Sequence, residues 1–156
     1  MYLLDTVTYP DQTTTRYLYN ENTALPSSGT GGDCANAVPG TLAGIIDRNG
    51  NKILENGYCG VKVKAQIYAD GGVMKFRYDT DATEVTDQLG NIRRLVFSAA
   101  GYPSSDTYAY GTSVAQTTSY VHDQNGLLQS VTDALGRTTR YAYDGRGNPS
   151  AVTRLF

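Results

Sequence analysis

The sequence predicts an all-β protein, and three observations carry that reading. The chain of 156 residues holds 13 Tyr and 17 Gly against no Trp and only 3 Phe, with abundant Thr. Tyr, Thr and Val suit a pleated, half-buried surface, and Gly suits turns. Second, no apolar stripe of helical period runs for any useful length, because Gly or Pro breaks each Leu/Ala piece within two turns. Third, Asp-x-x-Gly recurs as DRNG (47–50), DQLG (87–90), DQNG (123–126), DALG (133–136) and DGRG (144–147), the last three starting 10 and 11 residues apart.

Each Asp-x-x-Gly reads as a tight reversal. The Asp carboxylate accepts a backbone hydrogen bond from two residues on, and the Gly takes a positive φ that restarts the strand through a bulge. The turn residues so marked are Asp47 and Gly50, Asp87 and Gly90, Asp123 and Gly126, Asp133 and Gly136, Asp144 and Gly147. SAAG (98–101), YPDQT (9–13) and ADGG (69–72) read as degenerate or different turns in the same role.

Between the turns lie segments such as LLQSVT, RTTRYAY, NPSAVT and NIRRLVF, each about the length of a strand spanning roughly 20 Å. In RTTRYAYD, Thr139, Tyr141 and Tyr143 fall on one face, with Thr138, Arg140 and Ala142 on the other. NIRRLVF sets Ile92, Arg94 and Val96 against Arg93, Leu95 and Phe97, a pattern that leaves the buried face open. The length suits one domain over residues 1–156. Residues 22–41, rich in Pro, Gly and Ser, interrupt the rhythm as a loop insertion.

The longest internal match has a period of 21 residues. YVHDQNGLLQSVT and YAYDGRGNPSAVT align Tyr120 with Tyr141, Asp123 with Asp144, Gly126 with Gly147 and Val131 with Val152. Twenty-one residues hold one strand, one turn, a returning strand and another turn, so the repeat is a hairpin. A small β-propeller is the alternative, since four strands per blade would also place turns about every ten residues.

These residues carry a family likeness. Tyr-x-x-Asp-x-x-Gly-x-x-x-x-Val-Thr, then Asp-x-x-Gly-Arg-x-Thr-x-Tyr-x-Tyr-Asp, resembles the YD repeat of RHS-repeat proteins and stands here from Tyr120 to Thr153. VTYPDQTTTRYLYN (7–20) resembles that family's Tyr-Pro-Asp-Gly variant, with Gln12 in the place of Gly. LAGIIDRNGNKI (42–53) and EVTDQLGNIRRLVF (84–97) look like further copies, and a stretch around 55–66 carries no clear one. The resemblance implies a ribbon of antiparallel hairpins that spirals into a hollow shell, which in bacterial toxin systems encloses a C-terminal toxin domain. Related repeats occur in carriers of insecticidal toxin complexes and in animal teneurins. Such shells are far longer than this chain, so the resemblance implies a stretch of wall, with the rest of a longer repeat chain and its enclosed toxin as partners. The family's self-cleavage signature needs Asp-Pro and Trp, which this sequence lacks, so no protease residues are carried over.

Charge and motif spacing exclude several other functions. A net charge of −2 gives no basic face for nucleic acid. No apolar run is long enough to span a bilayer, and MYLLDTVTYPD lacks the basic and apolar regions of a signal peptide. Localisation as secreted or on the cell surface therefore rests on a larger protein. Cys34 and Cys59 offer one disulfide or two separate thiols, and no Cys/His spacing suggests zinc. NPS at Asn148 is barred as a glycosylation sequon by its Pro. GTGGD, inside the 22–41 loop, lacks the Lys and helix of a phosphate loop.

Ser119, His122 and Asp123 invite a triad reading, but they lie in one strand-to-turn segment, whereas triad members converge from separate elements. His122 instead occupies the second tyrosine position of the repeat, 21 residues before Tyr143. DTDATEVTDQLG (79–90) places Glu84 and Gly90 where a calcium loop needs Gly and Glu. No acid pair stands out for glycoside hydrolysis. The reading is therefore non-enzymatic, without cofactor or metal. A Tyr-rich face suited to glycans or a cell-surface protein is the alternative function, and open sheet edges are a route to self-association.

Overall fold

A computed structural model describes residues 3–20 and 38–155, which form thirteen β-strands and, among the described residues, no helix. The rest of the expected 22–41 loop, including Cys34, lies outside the described residues. The strands fall into two compact units, residues 1–76 and 77–156.

The first unit contains β1 (Thr6–Thr8), β2 (Thr14–Tyr19), β3 (Leu42–Ile46), β4 (Lys52–Cys59), β5 (Lys62–Tyr68) and the start of β6 (Val73–Tyr78). Each strand pairs antiparallel with the next. Their registers align Tyr17, Ile45, Leu54 and Tyr68 in one rung, and Leu18, Gly44, Glu55, Ile67 and Val73 in the next. Gly44 is needed for closeness, because a Cβ there would sit 2.9 Å from the Leu54 carbonyl oxygen. The stretch around 55–66, where no repeat is legible, is two long strands joined at Gly60–Val61, with Gly60 at φ 60°. Gly with positive φ first in a two-residue loop matches the right-handed twist of its strands.

The second unit contains the end of β6, β7 (Ala82–Thr86), β8 (Ile92–Phe97), β9 (Pro103–Tyr108), β10 (Gln116–His122), β11 (Leu128–Thr132), β12 (Thr138–Tyr143) and β13 (Pro149–Leu155). From β7 to β13, seven strands pair consecutively and antiparallel. One rung, Ala82–Val96–Ser105–Ser119–Thr132–Thr138–Leu155, crosses all of them. A propeller blade ends after four strands. The uninterrupted seven therefore set the propeller alternative aside in favour of consecutive hairpins in a strip.

A single-layer sheet has no second layer to close a core. Among the described residues Ala82 is the only buried apolar side chain, at 2 % exposure, while Asn20, Asn56, Glu84 and Asp106 are buried polar ones. Most strand residues are half-buried. In β12 the Thr139, Tyr141 and Tyr143 face is better covered than Arg140 and Ala142. In β8 all six residues are half-buried, which accounts for the open pattern of NIRRLVF.

Candidate functional site

The repeat turns are the most regular feature, and their geometry follows from the Asp carboxylate. In the turns at Asp47, Asp87, Asp123, Asp133 and Asp144, the Gly N–H donates to the Asp carbonyl at 2.9–3.1 Å. Each Asp N–H in turn donates to the carbonyl of the residue after the Gly, at 2.8–3.0 Å. Oδ1 accepts the backbone N–H two residues on, at 2.9 Å in every case. It also accepts the N–H four residues on, at 2.8–3.0 Å. The five glycines hold φ between 80° and 87°, the left-handed region that Gly enters without strain. The result is a three-residue hairpin loop with its glycine bulge.

Sequence reasoning missed a fifth turn position. Asn51, Asn91 and Asn148 donate through Nδ2 to Oδ2 of Asp47, Asp87 and Asp144, and Arg137 donates through Nε to Oδ2 of Asp133 at 2.7 Å. These donors hold four carboxyls below the ordinary carboxylate range. The leading cause is the backbone N–H of Asn51 for Asp47, and the side chain of Asn91, Arg137 or Asn148 for Asp87, Asp133 and Asp144. Asn after Gly in three of five turns was the available signal. The Tyr9–Gln12 turn makes the same backbone bonds, with Gln12 at φ 65° in the Gly position.

The two tyrosines of the motif do different work. Tyr120 lies opposite Val131 and Tyr141 opposite Val152, as cross-strand pairs. The second tyrosine follows a register shift just before the turn. The Tyr143 hydroxyl donates to the Leu128 carbonyl at 2.8 Å, and Tyr19 repeats this on the Leu4 carbonyl at 2.9 Å. His122, at the equivalent shift, stacks on Tyr102 with ring centroids 5.2 Å apart. Asp123 Oδ1 is occupied by the N–H groups of Asn125 and Leu127, while Ser119 pairs with Ser105 and Thr132 across the sheet. The Ser119–His122–Asp123 trio thus has its carboxylate committed to the turn, not to the imidazole.

Two clamps on adjacent arginines were not legible in the sequence. Arg93 grips Asp106 through Nε at 2.8 Å and Nη2 at 2.5 Å, with Tyr108 under the guanidinium at 4.6 Å. Arg94 donates to Glu84 at 2.6 Å and lies 5.1 Å from the Tyr110 ring, while Arg77 donates to Glu84 at 3.2 Å and to both oxygens of Asp79. Glu84 and Asp106 are 9 % and 7 % exposed. The bound carboxylates push both guanidinium pKa values up. Within the 79–90 stretch Asp79 and Glu84 are ion-paired, and Asp87 is bonded within its own turn. In the first unit the corresponding cross-strand contact is neutral: Gln66 donates to Asn56 at 3.0 Å, and Asn56 to the Leu42 carbonyl at 2.9 Å. Cys59, at the end of β4, is not a free thiol.

Repeated hairpins, five of them closed by Asp and Gly and two carrying a tyrosine-hydroxyl latch, define a hairpin-repeat protein. The RHS Repeat family model matches residues 122–154, so that stretch carries an RHS repeat. The chain is 38 % identical over 86 residues to the toxin protein Tse5 of Pseudomonas aeruginosa, a match covering 55 % of this chain and 6 % of that protein. It is 28 % identical over 111 residues to teneurin-4 of Mus musculus, covering 70 % of this chain and 4 % of that protein. The chain thus spans only a small part of the length of the curated relatives it matches.

Proposed function

We propose that this chain is a non-catalytic structural stretch of an RHS/YD-repeat protein that is secreted or displayed at the cell surface, and that it forms part of a wall enclosing a C-terminal toxin. The observation that carries the reading is where the repeat's polar groups go. The turn carboxylates are spent on their own backbones and the second-position tyrosines Tyr19 and Tyr143 on neighbouring carbonyls. Groups so committed hold a sheet together and leave little to bind a reacting substrate. The match to a protein named as a toxin supports the enclosed-cargo part. Limited proteolysis of the full-length protein carrying this strip is the test. The enclosed segment should resist cleavage with the native strip and become cleavable when Gly126 and Gly147 are both replaced by Val. Equal cleavage in the two proteins would sink the wall reading.

A second reading has one observation of its own. Tyr102, Tyr108 and Tyr110 are partly exposed among the described residues, each with one ring face against His122, Arg93 or Arg94, and their exposed parts are what a glycan or a surface protein would meet. Saturable binding on a glycan array that is lost on Tyr108→Ala would favour this binding module, and silence across the array would favour the wall.

A further inference from the structure

The two edges of the β7–β13 strip differ in chemistry. Turns alternate between edges, so 98–101, 123–126 and 144–147 lie on one edge, and 87–90, 109–115 and 133–136 on the other. On the first edge, neighbouring turns cover one another. A methyl group at Gly126 would overlap the Tyr102 hydroxyl, and one at Gly147 would touch Leu127 at 3.9 Å. Its tip residues are Ala99 and Ala100 in one turn, and the polar or charged Gln124, Asn125 and Arg146 in the other two, with no large apolar side chain.

The second edge is bare and apolar. A methyl group added at Gly90, Gly111 or Gly136 would meet nothing within 4 Å, as at Gly101 on the first edge, whereas Gly126 and Gly147 have no counterpart here. At their tips Leu89 is 88 % exposed, Val114 70 % and Leu135 77 %. Leu89 and Leu135 share a turn position that Asn49 and Asn125 fill elsewhere in the chain, so the turn itself has no need of Leu. The 109–115 loop between them is held in place: the Tyr110 N–H donates to the Ile92 carbonyl at 2.8 Å, and its ring lies over Arg94. Successive tips are two strands apart, about 10 Å.

We propose that this edge is an interaction surface for a second copy of the same strip, meeting it tip to tip. Three features select that occupant. Beside the tips Asp133 is paired with Arg137, and Asp87 is bonded to the Leu89 and Asn91 amides, so one turn carboxylate is left with its charge, too little to select an oppositely charged partner. The tips repeat at one period, so the edge of an identical strip rotated by a two-fold axis offers matching apolar tips at matching spacing. The apolar area of three tips and Tyr110 is on the order of 400 Å² per partner, about half of what a stable free complex buries, so the contact is weak and reversible between separate chains.

The experiment is two-dimensional amide NMR of the 156-residue chain on dilution from about 1 mM, together with the double variant L89N/L135N. Asn already occupies that turn position twice, so the variant keeps the fold, which its unchanged strand resonances verify. Concentration-dependent shifts at 88–90, 110–115 and 134–136, abolished in the variant, are expected. Shifts confined to β13 or to the 123–126 and 144–147 turns would overturn the proposal, as would spectra that do not change with concentration. A chain that associates through this edge but fails the proteolysis test retains the interface and loses only the wall reading.

Discussion

The two units use the same hairpin grammar and different glue. In residues 1–76 the half-buried cross-strand contacts are amides and apolar rungs, Asn56 with Gln66 and Tyr17 with Ile45 and Leu54. In residues 77–156 they are ion pairs under aromatic rings, Arg93 with Asp106 and Arg94 with Glu84. The first unit also departs more from the repeat, with Gln12 in a Gly position and a two-residue turn at Gly60. The difference teaches that the turns set the architecture, while strand interiors are free to hold it by whichever polar contact is satisfied.

The largest effect should come from breaking the charged glue. Arg94→Met leaves Glu84 with only the more exposed Arg77, and should lower stability more than any other single change below, because Glu84 is buried. Gln66→Met removes a neutral bond and should cost about 1 kcal/mol. Urea unfolding in low and 1 M salt checks both. The Arg94 loss should shrink with salt and the Gln66 loss should not; equal salt response would erase the contrast between the units.

Gly126→Ala should come next. It meets both the positive φ and the Tyr102 ring, and is expected to cost about 2 kcal/mol, against about 1 kcal/mol for Gly136→Ala, where only φ opposes the methyl. Repeating both in a Tyr102→Ala background should bring the two costs together, and a difference that persists would rule out the ring as its cause.

Gln12→Gly should stabilise the first unit by a little under 1 kcal/mol, since relief of the φ 65° strain is partly offset by added freedom in the unfolded chain. A lower denaturation midpoint would contradict the assignment of Gln12 to a Gly site.

The smallest effect is acid sensitivity of the turns. Thr13 lowers the Asp11 carboxyl, and the donors described above lower Asp47, Asp87, Asp133 and Asp144. A depressed folded pKa means this stabilisation is complete above the unfolded value of about 3.9 and is lost as pH falls through the lower folded values. Thermal melts between pH 5 and 2 should show that slope, flattened when Asp87 and Asp144 are replaced by Asn.

Much of the strip was legible because a hairpin is local. Asp and Gly three residues apart contain the whole turn, and the ring before it contains the latch, so Tyr143, Asp144 and Gly147 could be read without a structure. The strands at 55–66 were not, because Gly60–Val61 turns the chain with a different two-residue grammar. Nor were the clamps: Arg93 and Asp106 are 13 residues apart, and only the β8–β9 register brings them within 2.8 Å.

By itself, then, the sequence determined where this chain reverses and that it does so into antiparallel strands, since both depend on φ preferences and bonds within five residues. Only the tertiary structure decided which charges meet, that both faces of β8 are half-covered and which edge of the strip is left apolar. Those depend on registers between strands, and a register is a property of the paired sheet, not of any one segment.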